Sequence, residues 1–236
     1  MIRRDYILRM IEEFFRALAR INSLKKGQQW QEASEALDEE FKRLIADGAP
    51  AVVRLSETEL LARLMQEGPT QVVRDKTLML TTLLAEAGDV AAAQGRPEQS
   101  RECYLKALHL LLDTLGRGEV SEWPEFVPKV EGLVTTLDAP LPLRTHALLM
   151  QHYERTGEFA KAEDALFALL DAEPDNDAIV EFGIAFYERL LRQSDQALDA
   201  ANLPRAEVEE GLKELQHRRQ KLGSTSGLLG RQDEVK

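Results

Sequence analysis

Apolar side chains return along this chain at alternating intervals of three and four residues, the spacing of helices that turn one face inward. In residues 4–26 the stripe is Ile7, Ile11, Phe14, Leu18 and Ile21, and Lys25, Lys26 and Gly27 close it as basic residues and glycine close a helix. A second helix is predicted over 28–46, with Trp30, Ala33, Leu37, Phe41 and Leu44 inward and Gly48 and Pro50 ending it. Ser56 followed by Glu59 is a capping box for a short helix carrying Leu60, Leu61 and Leu64. Gly68-Pro69 breaks the chain before a helix over 70–93, and Arg96-Pro97-Glu98 restarts it as a helix to Leu115 with Tyr104, Ala107, Leu108 and Leu111 as its core face.

The pattern loosens over 119–142. Pro128 cannot sit deep in a helix, so a turn is expected around Trp123-Pro124 and a helix from near Val127, with Val130, Leu133, Val134 and Leu137 on its apolar face. Asp138-Ala139-Pro140-Leu141-Pro142 stops it and launches a helix to about Arg155, and another covers Glu158 to Ala172. Pro174-Asp175-Asn176 then caps a helix that is apolar nearly all round, through Ile179, Phe182, Ile184, Phe186, Tyr187, Leu190 and Leu191. A last helix, 204–222, has only the narrow stripe of Val208, Leu212 and Leu215. Val52-Val53 and Val72-Val73 are isolated pairs without period-two alternation, so no strand is predicted.

Within this succession, Tyr153, Gly157, Ala162, Leu166 and Pro174 fall where a helical hairpin needs an inter-helix contact, a tight turn, a small residue at a close crossing, a core residue and a stop. A weaker copy over 81–114 sets Leu84, Ala87, Gly88, Ala91, Gly95, Ser100, Tyr104 and Ala107 in the same register. A third echo, Gly27, Trp30, Ala33 and Leu37, is displaced by one residue at the turn. These positions resemble the tetratricopeptide repeat, whose 34-residue unit is a helix-turn-helix. The resemblance implies an all-α, irregular right-handed superhelical stack of antiparallel hairpins, in which each hairpin hides its apolar face against the next. The opening DYILRMIEEFFRALARI with its KKG turn also resembles the start of an uncharacterised family of small bacterial helical proteins, which implies a bacterial cytoplasmic origin and brings no activity with it.

The organisation expected is an N-terminal hairpin over 1–50, a helical region over 51–118 containing the weak repeat, a repeat region over 119–222 with its clear repeat at 143–176 and a capping helix, and a mobile polar tail over 223–236. With 30 basic against 41 acidic side chains the net charge is −11, which disfavours general nucleic-acid binding. The single cysteine, Cys103, forms no internal disulfide and reads as a small helix residue. No segment has the 18 or more apolar residues of a membrane span, in keeping with a cytoplasmic protein.

Candidate chemistry is sparse. His146 and His152 are six apart, as are Cys103 and His109, which is the wrong spacing for two ligands on one helix face. No Glu-x-x-His, Gly-x-Ser-x-Gly or phosphate-loop pattern occurs, so no catalytic residue, cofactor or metal is assigned. The resemblance instead implies a protein-binding or peptide-binding groove lined by first helices: Arg144, Ala147, Gln151, Glu154 and Arg155 in the clear repeat, and Thr82, Ala85, Asp89, Ala92 and Ala93 in the weaker one. Arg144, Gln151, Glu154 and Arg155 form the candidate partner-binding patch. The basic-and-Asn carboxylate clamp of chaperone-binding repeats is missing. The leading expectation is a cytoplasmic adaptor without catalytic activity. The alternatives are a homodimer joined through the N-terminal hairpin, with Ile11, Phe14, Phe15 or Trp30 near the seam, and an enzyme whose site is assembled from distant helices. Helix 4–26 and its flanking Arg3 carry seven basic against three acidic side chains, a local +4 that also suits an acidic partner or an anionic surface.

Overall fold

Helix formers dominate the sequence, and in the computed structural model every regular element among the described residues, 2–65, 70–118, 124–137 and 140–229, is a helix. The Gly68-Pro69 break, Trp123, Asp138-Ala139 and the last seven residues of the tail lie outside the described residues. Two compact units divide the chain between Pro140 and Leu141.

The first unit opens with the hairpin α1 (Ile2–Lys26) and α2 (Trp30–Ile45). Phe14 and Ile21 on α1, and Ala33, Leu37, Phe41 and Leu44 on α2, are buried as their spacing requires. Two short helices follow, α3 (Ala49–Arg54) and α4 (Glu57–Met65), and then the long hairpin α5 (Thr70–Ala93) and α6 (Pro97–Gly116). This second hairpin is the centre of the unit: residues 76–84 and 106–112 are buried on all sides, because α1, α2 and α4 pack on α5 while α3, α4 and α7 (Val130–Thr136) pack on α6. The Ser56–Glu59 capping box is made in full, with the Ser56 amide donating to Glu59 Oε2 at 2.8 Å and the Glu59 amide to Ser56 Oγ at 3.3 Å.

Two boundaries differ from the sequence expectation for physical reasons. Pro50 does not merely end α2; it occupies the first turn of α3, where its missing N–H costs nothing. Helix α7 begins at Val130 rather than near Val127, because Pro128 disfavours helical backbone at Val127 and Lys129 is still extended, at φ −78° and ψ 148°.

The second unit contains the hairpin α8 (Leu143–Thr156) and α9 (Phe159–Ala172), then α10 (Asp177–Leu190), the short α11 (Asp195–Ala200) and α12 (Arg205–Leu229). Asn176 caps α10 by accepting from the Ala178 amide at 3.0 Å, and Ser194 caps α11. Helix α12 runs seven residues beyond Leu222, so the part of the tail described, 223–229, is helical.

Three hairpins share one turn. In α1–α2, α5–α6 and α8–α9 a left-handed residue, Gln28 (φ 58°), Gly95 (φ 73°) or Gly157 (φ 77°), follows the first helix. The next amide reaches back to close the helix end, from Gln29 to Leu24 O, Arg96 to Ala91 O and Glu158 to Tyr153 O, at 2.8–2.9 Å. Five residues past each left-handed position stands a small buried side chain, Ala33, Ser100 or Ala162. The sequence marks Gly27 as the end of α1, but the left-handed position is Gln28; with that shift the three turns fall into one register.

Two of the crossings are set by a tyrosine lying over a glycine. A Cβ on Gly88 would come within 2.7–2.9 Å of the Tyr104 ring, and one on Gly211 within 2.4–2.9 Å of Tyr187. Each tyrosine hydroxyl donates to a carboxylate, Tyr104 to Asp89 and Tyr187 to Glu163, the latter at 2.6 Å. Burial, reinforced by those carboxylates, pushes both phenols well above the usual tyrosine range.

Candidate functional site

Helix α8 divides its side chains sharply. Thr145, Leu149, Met150, His152 and Tyr153 are buried. Arg144, Gln151 and Arg155 are exposed, and their spacings of seven and four put them in one row along the helix. Behind the row, Lys161 of α9 sits 5.1 Å from the Tyr153 ring centre, and Gly157 sets the turn that holds α9 in place.

Glu154 points elsewhere. Its carboxylate receives two N–H donors from Arg189 of α10, at 2.6 and 2.8 Å, and this hydrogen bonding raises the guanidinium above its ordinary range. Of the four candidate residues, three share the exposed row while Glu154 ties α8 to α10.

The corresponding positions of the weaker repeat are divided: Asp89, Ala92 and Ala93 are exposed and Ala85 is half-buried, while Thr82 lies inside. Thr82 is 3 % exposed, and its hydroxyl donates to the carbonyls of Leu78 and Phe126 at 3.1 and 3.2 Å, so the expectation that it lines a groove is corrected. Asp89 accepts from Tyr104 and, with Glu86, holds Lys25 of α1. Burial pushes the Lys25 ammonium down, but hydrogen bonds to Asp89 and Glu86 outweigh it and leave the group above the usual lysine range.

The N-terminal hairpin carries the aromatic cluster expected near a seam, but Phe14 is only 2 % exposed and belongs to the core of its unit. Phe15, at 46 %, is the outward member, with the ring of Phe126 5.4 Å away and edge-on. Several of the charges behind the local +4 are engaged inside the unit: Arg9 with Glu13, Arg20 with Glu39 at 2.8 Å, and Lys25 with Glu86 and Asp89. A cleft of about 100 Å³ between α1, α2 and α5 is rimmed by Arg9, Glu13, Glu40, Arg43 and Lys76. Arg43 bridges both of its carboxylates, which makes this rim a structural network.

Two polar residues of α6 have a role that the sequence reading did not assign. The Lys106 ammonium donates to the carbonyls of Val52 and Val53 and pairs with Glu102 at 2.9 Å, closing the C-terminal end of α3. His109 Nδ1 meets Glu57 Oε1, at the start of α4, at 2.6 Å. One face of α6 therefore clasps the joint between α3 and α4. The signal present in the sequence was a lysine and a histidine inside the otherwise apolar run KALHLLL.

Among the described residues no group of three or more His, Cys, Asp or Glu side chains could hold a metal ion. Cys103 is 1 % exposed, and burial pushes its thiol up to about 11, the opposite of an activated nucleophile. No described helix is long and apolar enough to cross a membrane.

A family model described as a family of unknown function, DUF6483, matches residues 1–220. The match covers most of the chain, and the chain belongs to that family. No curated protein and no solved structure matches it.

Proposed function

We propose that this member of the DUF6483 family is a cytoplasmic protein-interaction module, built from tetratricopeptide-repeat-like hairpins and acting without chemistry of its own. The observation that carries the reading is the row on α8: Arg144, Gln151 and Arg155 stand exposed in line, while the opposite face of the same helix is given wholly to packing. Two guanidinium groups flanking an amide suit an acidic or carbonyl-rich protein segment, since arginine makes bidentate contacts to carboxylates. Glu154 serves the row indirectly, by anchoring α8 through Arg189.

The repeat-like reading is supported by the common turn of three hairpins and by the small buried residue at the same place after each. Such hairpins expose side chains of their first helices at regular intervals, which is how helical repeats recognise extended partners.

The test is a partner captured from the native cytoplasm, purified, and titrated against the chain. Charge reversal at Arg144 together with Arg155 weakens that complex by about tenfold or more, with the helical circular dichroism unchanged. Lys213→Glu, an equally exposed charge change on α12, leaves it intact. Equal affinity for the row variant and the wild type overturns the assignment.

A further inference from the structure

We infer that α1 is a pairing surface for a second copy of this chain, joined in antiparallel order along its outward flank. Beside the buried Phe14 and Ile21, α1 carries a second row, Leu8, Ile11, Phe15, Leu18 and Asn22, which shares Ile11 and Leu18 with the edge of the core stripe and has alternating spacings of three and four. That is the spacing of a helix-pairing seam. Leu8 is 50 % and Phe15 46 % exposed, and Ile11, Leu18 and Asn22 are half-buried, so the row lies along the edge of the unit. Phe126 backs it, with its ring against Phe15 and its carbonyl fixed by Thr82.

The charges beside the row select a second copy as the occupant. Glu12 and Lys26 stand on the same outer margin, both exposed, and neither has an ion-pair partner among the described residues. In an antiparallel pair with Phe15 of one helix beside Leu18 of the other, Glu12 of each copy approaches Lys26 of the other, giving two identical contacts about a two-fold axis. Sliding the helices by one heptad, so that Phe15 faces Ile11, brings the two Glu12 carboxylates together. The opposite slide keeps Glu12 near Lys26 but sets Phe15 against Lys25, so the charges and the apolar row together select the antiparallel register. A foreign apolar helix would gain nothing from opposite charges placed fourteen residues apart on one margin of the helix.

The test is sedimentation equilibrium of the full chain across a dilution series. A monomer–dimer equilibrium is expected. Phe15→Glu raises its dissociation constant about a hundredfold without loss of helicity. Glu12→Lys and Lys26→Glu each raise it about tenfold, and the two together restore it. A chain that stays monomeric at every concentration overturns the proposal, as does a dimer indifferent to Phe15→Glu. A double variant no tighter than either single one overturns the register. The α8 row plays no part in this equilibrium, so its variants report separately on the proposed partner site.

Discussion

Gln28 stands at φ 58° in the turn between α1 and α2, in the position that Gly95 occupies at φ 73° between α5 and α6. The backbone bonds around the two residues match, with Gln28 N to Lys25 O and Gly95 N to Ala92 O both at 3.0 Å. A side chain at a left-handed position is strained by its own Cβ, whereas glycine is not. Gln28→Gly therefore stabilises the protein by about 1 kcal/mol, after allowing for the greater freedom of glycine in the unfolded chain. Urea denaturation checks it; a midpoint that falls would show that Gln28 holds its turn through contacts of its own.

Two glycines within helices should respond in opposite directions. Gly88→Ala drives a methyl group into the Tyr104 ring, which at 6 % exposure has little room to withdraw, so α5 and α6 must part. A loss of about 2 kcal/mol is expected. Gly132 in α7 has nothing within 4 Å of an added Cβ, and Gly132→Ala gains about 0.5 kcal/mol from helix propensity. Denaturation midpoints of the two variants, compared with wild type, would refute the packing argument if both moved the same way.

Lys106 holds the end of α3 by donating to the carbonyl oxygens of Val52 and Val53. Lys106→Met keeps the stem and removes the ammonium, so stability drops by about 2 kcal/mol. The loss should be local first: amide hydrogen exchange quickens over residues 49–65 before it quickens in α5. Uniform acceleration over the whole unit would mean that Lys106 acts by packing alone.

The long helices were legible because each has enough turns to display a stripe, and the capping box, Asn176 and the hairpin turn after Thr156 were legible because their chemistry is local. The two six-residue helices were not. Helices α3 and α11 are too short to show a period, and each is held by features outside itself, α3 by Lys106 from α6 and α11 by its Ser194 cap and the helix packed on it. Thr82 was expected outside because the first helix of a repeat presents that position to a groove; Phe126 covers it instead, a contact across 44 residues that no local pattern encodes. For the candidate site, the row of Arg144, Gln151 and Arg155 follows from spacing alone. The diversion of Glu154 does not, since its partner Arg189 lies 35 residues away. Lys106 and His109 show a more general limit: a polar residue in an apolar run announces a buried partner without naming it.

Alkaline pH offers a test of how tightly the α5–α6 hairpin is closed. The Cys103 thiol, with an ordinary value of 9.0, is pushed up to about 11 by burial. Above pH 9 the unfolded chain loses this proton while the folded one keeps it, so the folded state binds more protons and its stability falls as pH rises toward 11, then levels. The loss from this one group is about 2 kcal/mol. Lys25, Tyr104 and Tyr187 are raised as well and act in the same direction at higher pH: the stability contributed by the Lys25 pairing is fully present below the ordinary lysine value of 10.5 and disappears as pH climbs through its raised one. Cys103→Ala should remove the early part of the decline and leave the later part. Urea midpoints measured from pH 9 to pH 11 on the two proteins read this out, and parallel curves would mean that the thiol reaches water in the folded state, which a sealed hairpin does not allow.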